Sequence, residues 1–439
     1  MLTIEKIGRV SDPVHGLIEF TDVERVILDH PVTQRLRYVS QSGLAHLVFP
    51  EVRTSRFSHS LGAMHLSSQF LSACLRNADN ATMNALAGGI RSIVRDIIGV
   101  VADQSVIESV LSSQVLRACQ SCHREDQKYV MFAEQALRLA ALFHDIGHLP
   151  FSHDFEHAIE ELEKSADPGQ VKDRLRGLVA QQSGRTKIHE RLGYNIALLL
   201  LQEIGALEGA STVGRALDYL FSLSFRILVA VPVPDPTPVQ AAEQWLHSLM
   251  SGDLDVDRCD FLLRDGRNFG FEFASYNLPR LLDNVVVVQK EKAFVTAVRP
   301  QGLGPLESFL LARFRSYQYG VRHHKVSQVG AALRHSILRI LRTTDDDSVL
   351  DFLSLLQDLI GVEPGVSVAP EVRTVLLGNF SRADDVWWMA IMRQEALRQP
   401  EDEWLGLVCW RRRSVRSLWK RPYDFSQVMR DLIAQRIDR

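Results

Sequence analysis

The chain has 439 residues and a net charge of −3, with 46% hydrophobic and 23% charged residues. This balance belongs to a globular protein with ample core and excludes disordered, fibrous and globally basic nucleic-acid-binding classes. The five cysteines are scattered and odd in number, which argues against a disulfide framework.

The N-terminal MLTIEKIGRVSDPVHG lacks the basic, apolar and small-residue succession of a secretory leader. No apolar run reaches the roughly 18 residues that a membrane span needs. A cytoplasmic protein without a membrane segment is therefore expected. Residues 75–127 read as a helical insertion with little chemical signal, interrupted by Ala-Gly-Gly at 87–89. Within it, CQSCH at 119–123 matches a haem-attachment pattern and half of a zinc site. Haem attachment belongs to exported proteins, and no second Cys/His pair stands at zinc-finger spacing, so the match reads as coincidence.

AEQALRLAALFHDIGH and HERLGYNIALLLLQEIG carry apolar residues at helical spacing, predicting two amphipathic helices. VPVPDPTP at 231–238 cannot continue a helix and predicts an exposed loop. In NVVVVQKEKAFVTAV, from Asn284 to Val298, two β-branched runs flank a charged turn and predict a hairpin. From Ala331 onward the pattern is again helical, broken by TTDDD at 343–347. The basic RRRSVRSLWKR at 411–421 reads as a solvated helix face. The fold class expected is mainly α with a small β-hairpin.

The most informative stretch is HDIGHLPFSH, from His144 to His153. The helical advance of about 100° per residue puts His144 and His148 on one face, with Asp145 beside them. Gly147 and Leu149-Pro150 fit a turn that swings His153 back toward them. A hydrolytic metal centre needs three or four such donors with room for water or a phosphate oxygen. Further donors are His59 and His65 upstream, and Asp253, Asp255, Asp257, Asp260 and Asp265 downstream. Helical periodicity lets only one or two of those acids meet one metal, and spacing alone does not choose between them.

The order RFSHSLG, LFHDIGHLPFSH, HERLG and DVDRCDFLLRD resembles the HD-domain deoxynucleoside triphosphate triphosphohydrolases. DPVHG and QRLRYVSQ near the N-terminus and HHKV near Lys325 extend the likeness over most of residues 8 to 345, apart from the stretch after Leu75. The resemblance is to members that carry a sterile alpha motif, without that motif. It implies an HD-type helical core over 1–345, followed by a helical C-terminal region over 346–439. It also implies hydrolysis of a dNTP to deoxynucleoside and inorganic triphosphate.

Carried over by the resemblance, the metal ligands are His59, His144, Asp145 and Asp257. This mixed donor set suits one divalent Fe, Mn, Co or Zn ion, with Mg as an additional ion. His148, His153 and His189 are expected to line the phosphate site, with Glu156 orienting His153. His153 is the expected proton donor, and His148 and His189 remain alternatives. Gln41 and Asp265 are placed near the sugar 3′-hydroxyl, and Arg56, Arg258 and Lys325 against the triphosphate. Arg258 stands where the sterile-alpha-motif relative has lysine, Phe261 where it has tyrosine, and Arg322 where an aromatic is common. These departures leave base choice open.

Asp29, Gln34 and Arg37 match positions that hold a guanine-nucleotide activator between subunits in relatives, whereas Arg9 and Leu17 depart from that pattern. A homo-oligomer, dimer or tetramer, is expected. Two other readings stay open at this stage: a phosphodiesterase or nuclease on oligonucleotides or cyclic nucleotides, and a nucleotide-sensing regulatory protein.

Overall fold

The computed structural model describes residues 7–99, 107, 111, 115–164, 187–209, 211–272, 275–344, 346–363 and 366–411. It is mainly α: 69% helical, with 17 helices and two small antiparallel strand pairs among the described residues. The basic stretch 412–421 and parts of the 75–127 segment lie outside the described residues. Among the described residues, no helix is long and apolar enough to cross a membrane.

The chain opens with a hairpin that composition did not announce, β1 (Gly8–Asp12) against β2 (Gly16–Phe20), pairing Gly8 with Phe20 and Asp12 with Gly16. Its turn is built by chemistry rather than by β propensity. Asp12 Oδ1 accepts the backbone N–H of Val14 and of His15 at 2.9 Å each, and Gly16 adopts φ +74°. Helix α1 (Asp22–Asp29) follows behind a Thr21–Glu24 capping box, and α2 (Pro31–Gln34) behind His30.

The central layers are α3 (Arg56–Asn77), α4 (Asn80–Ile98), α5 (Gln127–Phe143), α6 (His153–Lys164), α7 (Ile188–Glu208), α8 (Thr212–Val229), α9 (Pro238–Ser248) and α10 (Val256–Phe269). Helix α3 is buried on most sides, polar residues such as Arg56, His59, Ser60 and Ser67 included, and packs against both α5 and α10. That position, with Ser55 capping its first turn, holds His59 rigidly at the centre. Within the segment expected as an insertion, α4 buries Leu86, Ile90, Ile93 and Val94 against α5 and α9. Cys119 and Cys122 are buried and free in a short turn at Ala118–Ser121.

The proline run stays non-helical until Pro238 starts α9. After α11 (Leu278–Leu282), the predicted hairpin forms as β3 (Val285–Lys290) and β4 (Ala293–Val298), with Val285 opposite Val298. Then come α12 (Leu303–Arg315), α13 (His324–Thr343), α14 (Asp347–Ile360), α15 (Pro370–Phe380), α16 (Asp385–Arg398) and α17 (Glu403–Trp410). Asp346, in the acidic break, caps α14. The expected boundary at 345 falls between α13 and α14, and apolar side chains from both sides join one core. Trp388 of α16, for instance, packs edge-on against Phe155 of α6 at 4.7 Å.

Candidate active site

Helix α5 ends at Phe143, earlier than a helix carrying His144 and His148 on one face would require. His144 is the C-cap, and the chain turns through 144–147. The turn packs closely on α7. A Cβ at Gly147 would lie 2.2 Å from the Gly193 nitrogen and 2.2 Å from the His189 carbonyl oxygen of α7. The glycines of HDIGH and HERLG thus let two backbones touch, and the turn sends His144 and Asp145 one way and His148 toward α7.

The turn continues through Phe151 and Ser152, both left-handed at φ 55° and 57°. Such non-glycine residues cost about 1 kcal/mol or more each and persist only when held by their surroundings. Here the Phe151 N–H donates to Asp385 Oδ1 at 2.7 Å, and Ser152 Oγ donates to the Ser40 carbonyl at 2.7 Å. His153 then opens α6.

Four side chains converge as candidate metal ligands. His59 Nε2 is 3.0 Å from Asp257 Oδ1 and 3.6 Å from Asp145 Oδ2. His144 Nε2 is 3.5 Å from Asp145 Oδ1 and 4.0 Å from Asp257 Oδ1. The donor atoms of His59, His144 and Asp257 all lie within 4.8 Å of one another. His59 Nε2 and His144 Nε2 are buried without a hydrogen-bond partner. Buried nitrogens left unpaired opposite carboxylate oxygens are poor structure but good ligands, so the residues fit a divalent metal. His144 Nδ1 meets the Ala141 carbonyl at 2.7 Å and His59 Nδ1 meets Asp260 Oδ2 at 2.8 Å, fixing both rings with Nε2 inward.

A second cluster adjoins the first. His148 and His189 stack at 4.0 Å, and His153 lies 5.0 Å from the first ring and 5.1 Å from the second. Glu156 ties the group together through Oε2 to His153 Nδ1 at 3.1 Å and Oε1 to His189 Nδ1 at 2.6 Å. The two clusters meet at Asp145, whose Oδ1 is 3.2 Å from His148 Nε2. Arg56 closes the junction, donating to Asp145 Oδ2 at 2.6 Å and to Ser152 Oγ at 2.9 Å.

The charges are set by this packing. Burial opposes ionisation of Asp145, but the Arg56 guanidinium, with His144 and His148, holds its carboxyl well below the usual range. Burial, with Arg56 and His189 beside it, holds the His148 imidazole well below its usual value, so it is neutral at pH 7. Burial also opposes ionisation of Glu156, yet hydrogen bonds from His153 and His189 keep it well below the carboxylate range. Without a metal, burial pulls His59 down, but Asp257 and Asp260 raise it to about 10.

The residues expected against the nucleotide are placed unevenly. Gln41 and Asp265 come together around Thr54 and Ser42: Gln41 N–H donates to the Thr54 carbonyl at 2.9 Å, and Ser42 Oγ donates to Asp265 Oδ2 at 3.3 Å. Gln41 Oε1 and Asp265 Oδ1 are buried without partners, leaving two acceptors for a ligand hydroxyl. Arg258 is paired with Asp255, Phe261 is half-buried against the core, and Lys325 is exposed on the first turn of α13. Of the expected activator residues, Asp29 is exposed, while Arg37 donates to Gln34 Oε1 at 2.6 Å and lies 3.8 Å over the Phe57 ring.

Sequence reasoning passed over residues that hold these groups in place. Arg35 is buried and donates to the carbonyls of Ile146 at 3.0 Å, His148 at 2.7 Å and Ala383 at 2.6 Å. It thereby ties the turn at 144–148 to the segment that precedes α16. Asp385 comes from α16, far along the chain, and no local pattern marks it. Asp260 carries a signal, the i+3 spacing from Asp257, but spacing does not separate it from the neighbouring acids.

With this geometry in hand, the family described as HD domain matches residues 114–217, which contain His144, Asp145, His148, His153, Glu156 and His189. The chain thus contains an HD domain. It is 23% identical over 353 residues to human deoxynucleoside triphosphate triphosphohydrolase SAMHD1, covering 78% of this chain and 44% of that protein. The bovine SAMHD1 is 24% identical over 333 residues, covering 71% of this chain and 44% of that protein. An uncharacterized protein of Methanocaldococcus jannaschii is 22% identical over 361 residues, covering 80% and 56%. The chain thus spans about half the length of these relatives. A crystal structure of a hypothetical protein from Aquifex aeolicus shares the fold at TM-score 0.53 and 20% identity, covering 98% of this chain and 82% of that one.

Proposed function

We propose that this protein is a metal-dependent phosphohydrolase that cleaves a deoxynucleoside triphosphate into deoxynucleoside and inorganic triphosphate. The observation that carries the reading is the double use of Asp145, which faces His59 and His144 on one side and His148 on the other. This shared contact supports a reading in which metal donors and proton-handling imidazoles act on one substrate.

His59, His144, Asp145 and Asp257 would hold one divalent transition metal, which when bound supplies Lewis-acid polarisation of a phosphoryl oxygen and an acidified water. The physiological ion is among Fe, Mn, Co and Zn on the donor set. In the reaction, the water oxygen bonds to the α-phosphorus, the bond to the 5′-oxygen breaks, and that oxygen takes a proton. Neutral His148, fixed beside Asp145, lines the phosphate path without adding charge. Glu156 fixes Nδ1 of both His153 and His189 and leaves each Nε2 for a phosphate or the leaving oxygen. His153 is the best-placed donor because its side chain is 49% exposed, whereas His148 and His189 are buried.

The unpaired acceptors of Gln41 and Asp265 suit the sugar hydroxyl, and Arg56, Arg258 and Lys325 suit the triphosphate. A guanidinium at Arg258 offers a planar fork in place of a point charge. Phe261 can exclude a 2′-hydroxyl by bulk alone. Asp29, Gln34 and Arg37 are assigned to a nucleotide activator and the chain to a homo-oligomer, both on the likeness to SAMHD1. The protein loaded with Mn2+ and given each dNTP should release deoxynucleoside and tripolyphosphate in equal amounts. Diphosphate or a nucleoside monophosphate would refute the cleavage site, and turnover of oligonucleotides alone would favour a phosphodiesterase.

A further inference from the structure

The metal-facing nitrogen of His59 is aimed from behind by Asp260, and Asp260 is gripped in turn by a residue of the N-terminal hairpin. His15 Nε2 lies 2.7 Å from Asp260 Oδ1, while Asp260 Oδ2 lies 2.8 Å from His59 Nδ1. Arg264 donates to the same carboxylate from Nε at 2.9 Å and Nη2 at 2.8 Å, and to Asp12 Oδ2 at 2.7 Å. Asp12 Oδ1 closes the ring by accepting the His15 and Val14 backbone N–H groups. The β1–β2 turn therefore presents the His15 ring in a fixed orientation. Its side chain and that of Asp260 are both almost wholly buried.

The Asp260 carboxylate sits against α3 where only a glycine fits. A Cβ at Gly62, one helical turn beyond His59 on α3, would lie 1.8 Å from Asp260 Oδ1. The glycine of RFSHSLG thus makes space for the carboxylate, and His15 and Arg264 fill its remaining acceptor positions. On the other side His15 borders a cavity of about 1080 Å3, also lined by His65 and Gln69 of α3 and by Leu263 and Arg267 of α10. None of the candidate metal ligands lines that cavity. His65 is a neighbour of His15, 5.7 Å away ring to ring, and its Nε2 is turned to Gln69.

We propose that His15 is a positioning residue of the metal centre, holding Asp260 so that Asp260 fixes the His59 ring with its free nitrogen toward the ion. The proposal rests on the reading of His59 as a ligand. Outer partners of this kind commonly set metal affinity by about 10- to 100-fold, because they decide the tautomer and rotation of the ligand ring. Arg264 also restrains Asp260, with one donor on each carboxylate oxygen, and His15 adds the second donor on Oδ1.

The test is Co2+ binding by the metal-free protein, read by chelator competition and by visible ligand-field absorption, for wild type, His15→Ala, His15→Gln and His65→Ala. His15→Ala should bind about tenfold or more weakly with an altered spectrum. His15→Gln should recover most of the affinity, because its amide nitrogen can donate to Asp260 Oδ1. His65→Ala enlarges the same cavity without touching Asp260 and should match wild type. The proposal is overturned if His15→Ala binds as wild type, if His15→Gln is as weak as His15→Ala, or if His65→Ala is equally impaired. Failure of the wild type itself to bind Co2+ would instead refute the metal centre.

Discussion

Asp145 and His148, three residues apart, meet at 3.2 Å across the turn that ends α5, and this contact joins the ligand cluster to the histidine cluster. Asp145→Asn keeps the shape but removes the charge that Arg56 and His148 face. Turnover should fall by at least about 100-fold and bound metal by at least about 10-fold, because a ligand is weakened and Arg56 is left uncompensated. Metal content of the purified variant and its kcat check both. Normal metal content with normal kcat would remove Asp145 from the site.

The two motif glycines make opposite predictions. Gly147→Ala puts a methyl 2.2 Å from α7 backbone, whereas a Cβ at Gly193 would first meet Gly147 N at 3.4 Å. Gly147→Ala should cost about 1–3 kcal/mol and displace His148 from His189, while Gly193→Ala should cost under about 1 kcal/mol. Denaturant unfolding with kcat separates them, and equal effects would contradict the close approach.

Glu156 orders His153 and His189 from one carboxylate. Its pKa is depressed, so the stability it contributes is present above the unfolded value near 4.5 and is lost as pH falls toward its lower folded value. Glu156→Gln should lower kcat by about 10²- to 10⁴-fold through loss of oriented acid catalysis, and should flatten this acid-side stability loss. Wild-type rates with a wild-type pH profile would assign the acid elsewhere.

The metal-free protein should hold a proton on His59 past neutrality, because its pKa is raised to about 10. A raised histidine stabilises fully below the unfolded value near 6.5, and that contribution disappears as pH rises through the folded value. Metal binding near pH 7 should therefore release a proton and tighten as pH rises. Calorimetry in buffers of different ionisation enthalpy measures the release. Buffer-independent heats would show that His59 is already neutral.

Asp385 links the C-terminal region to the turn before His153 by accepting the Phe151 N–H and the Ser40 backbone and hydroxyl groups. Asp385→Ala should free the left-handed pair at Phe151–Ser152 and reduce kcat by about tenfold or more while leaving metal affinity within a few-fold. Unchanged kcat would make the contact merely structural.

The sequence made the helical class, the β3–β4 hairpin and the proline loop legible because each rests on local spacing. Both histidine clusters assemble from the residues that the resemblance marked, and the motifs are short enough that each brings its own side chains. What escaped was long-range and backbone-directed. Arg35 looks like one more charge in QRLRYVSQ, yet it is the buried member, capping carbonyls of the catalytic turn, while its neighbours Gln34 and Arg37 stay near the surface. The close packing of the turn after α5 was also hidden, since Gly147 meets Gly193 across 46 positions of chain. The β1–β2 hairpin escaped because Asp12 side-chain hydrogen bonds, not alternating apolar residues, define its turn.

The central claim is that water attacks the α-phosphorus at the junction of the two clusters. Turnover of a dNTP in 18O-labelled water measures it most directly, with products resolved by mass spectrometry. One 18O atom in the released triphosphate and none in the deoxynucleoside is the expected result. Label in the deoxynucleoside 5′-hydroxyl, or in a released monophosphate, would contradict it.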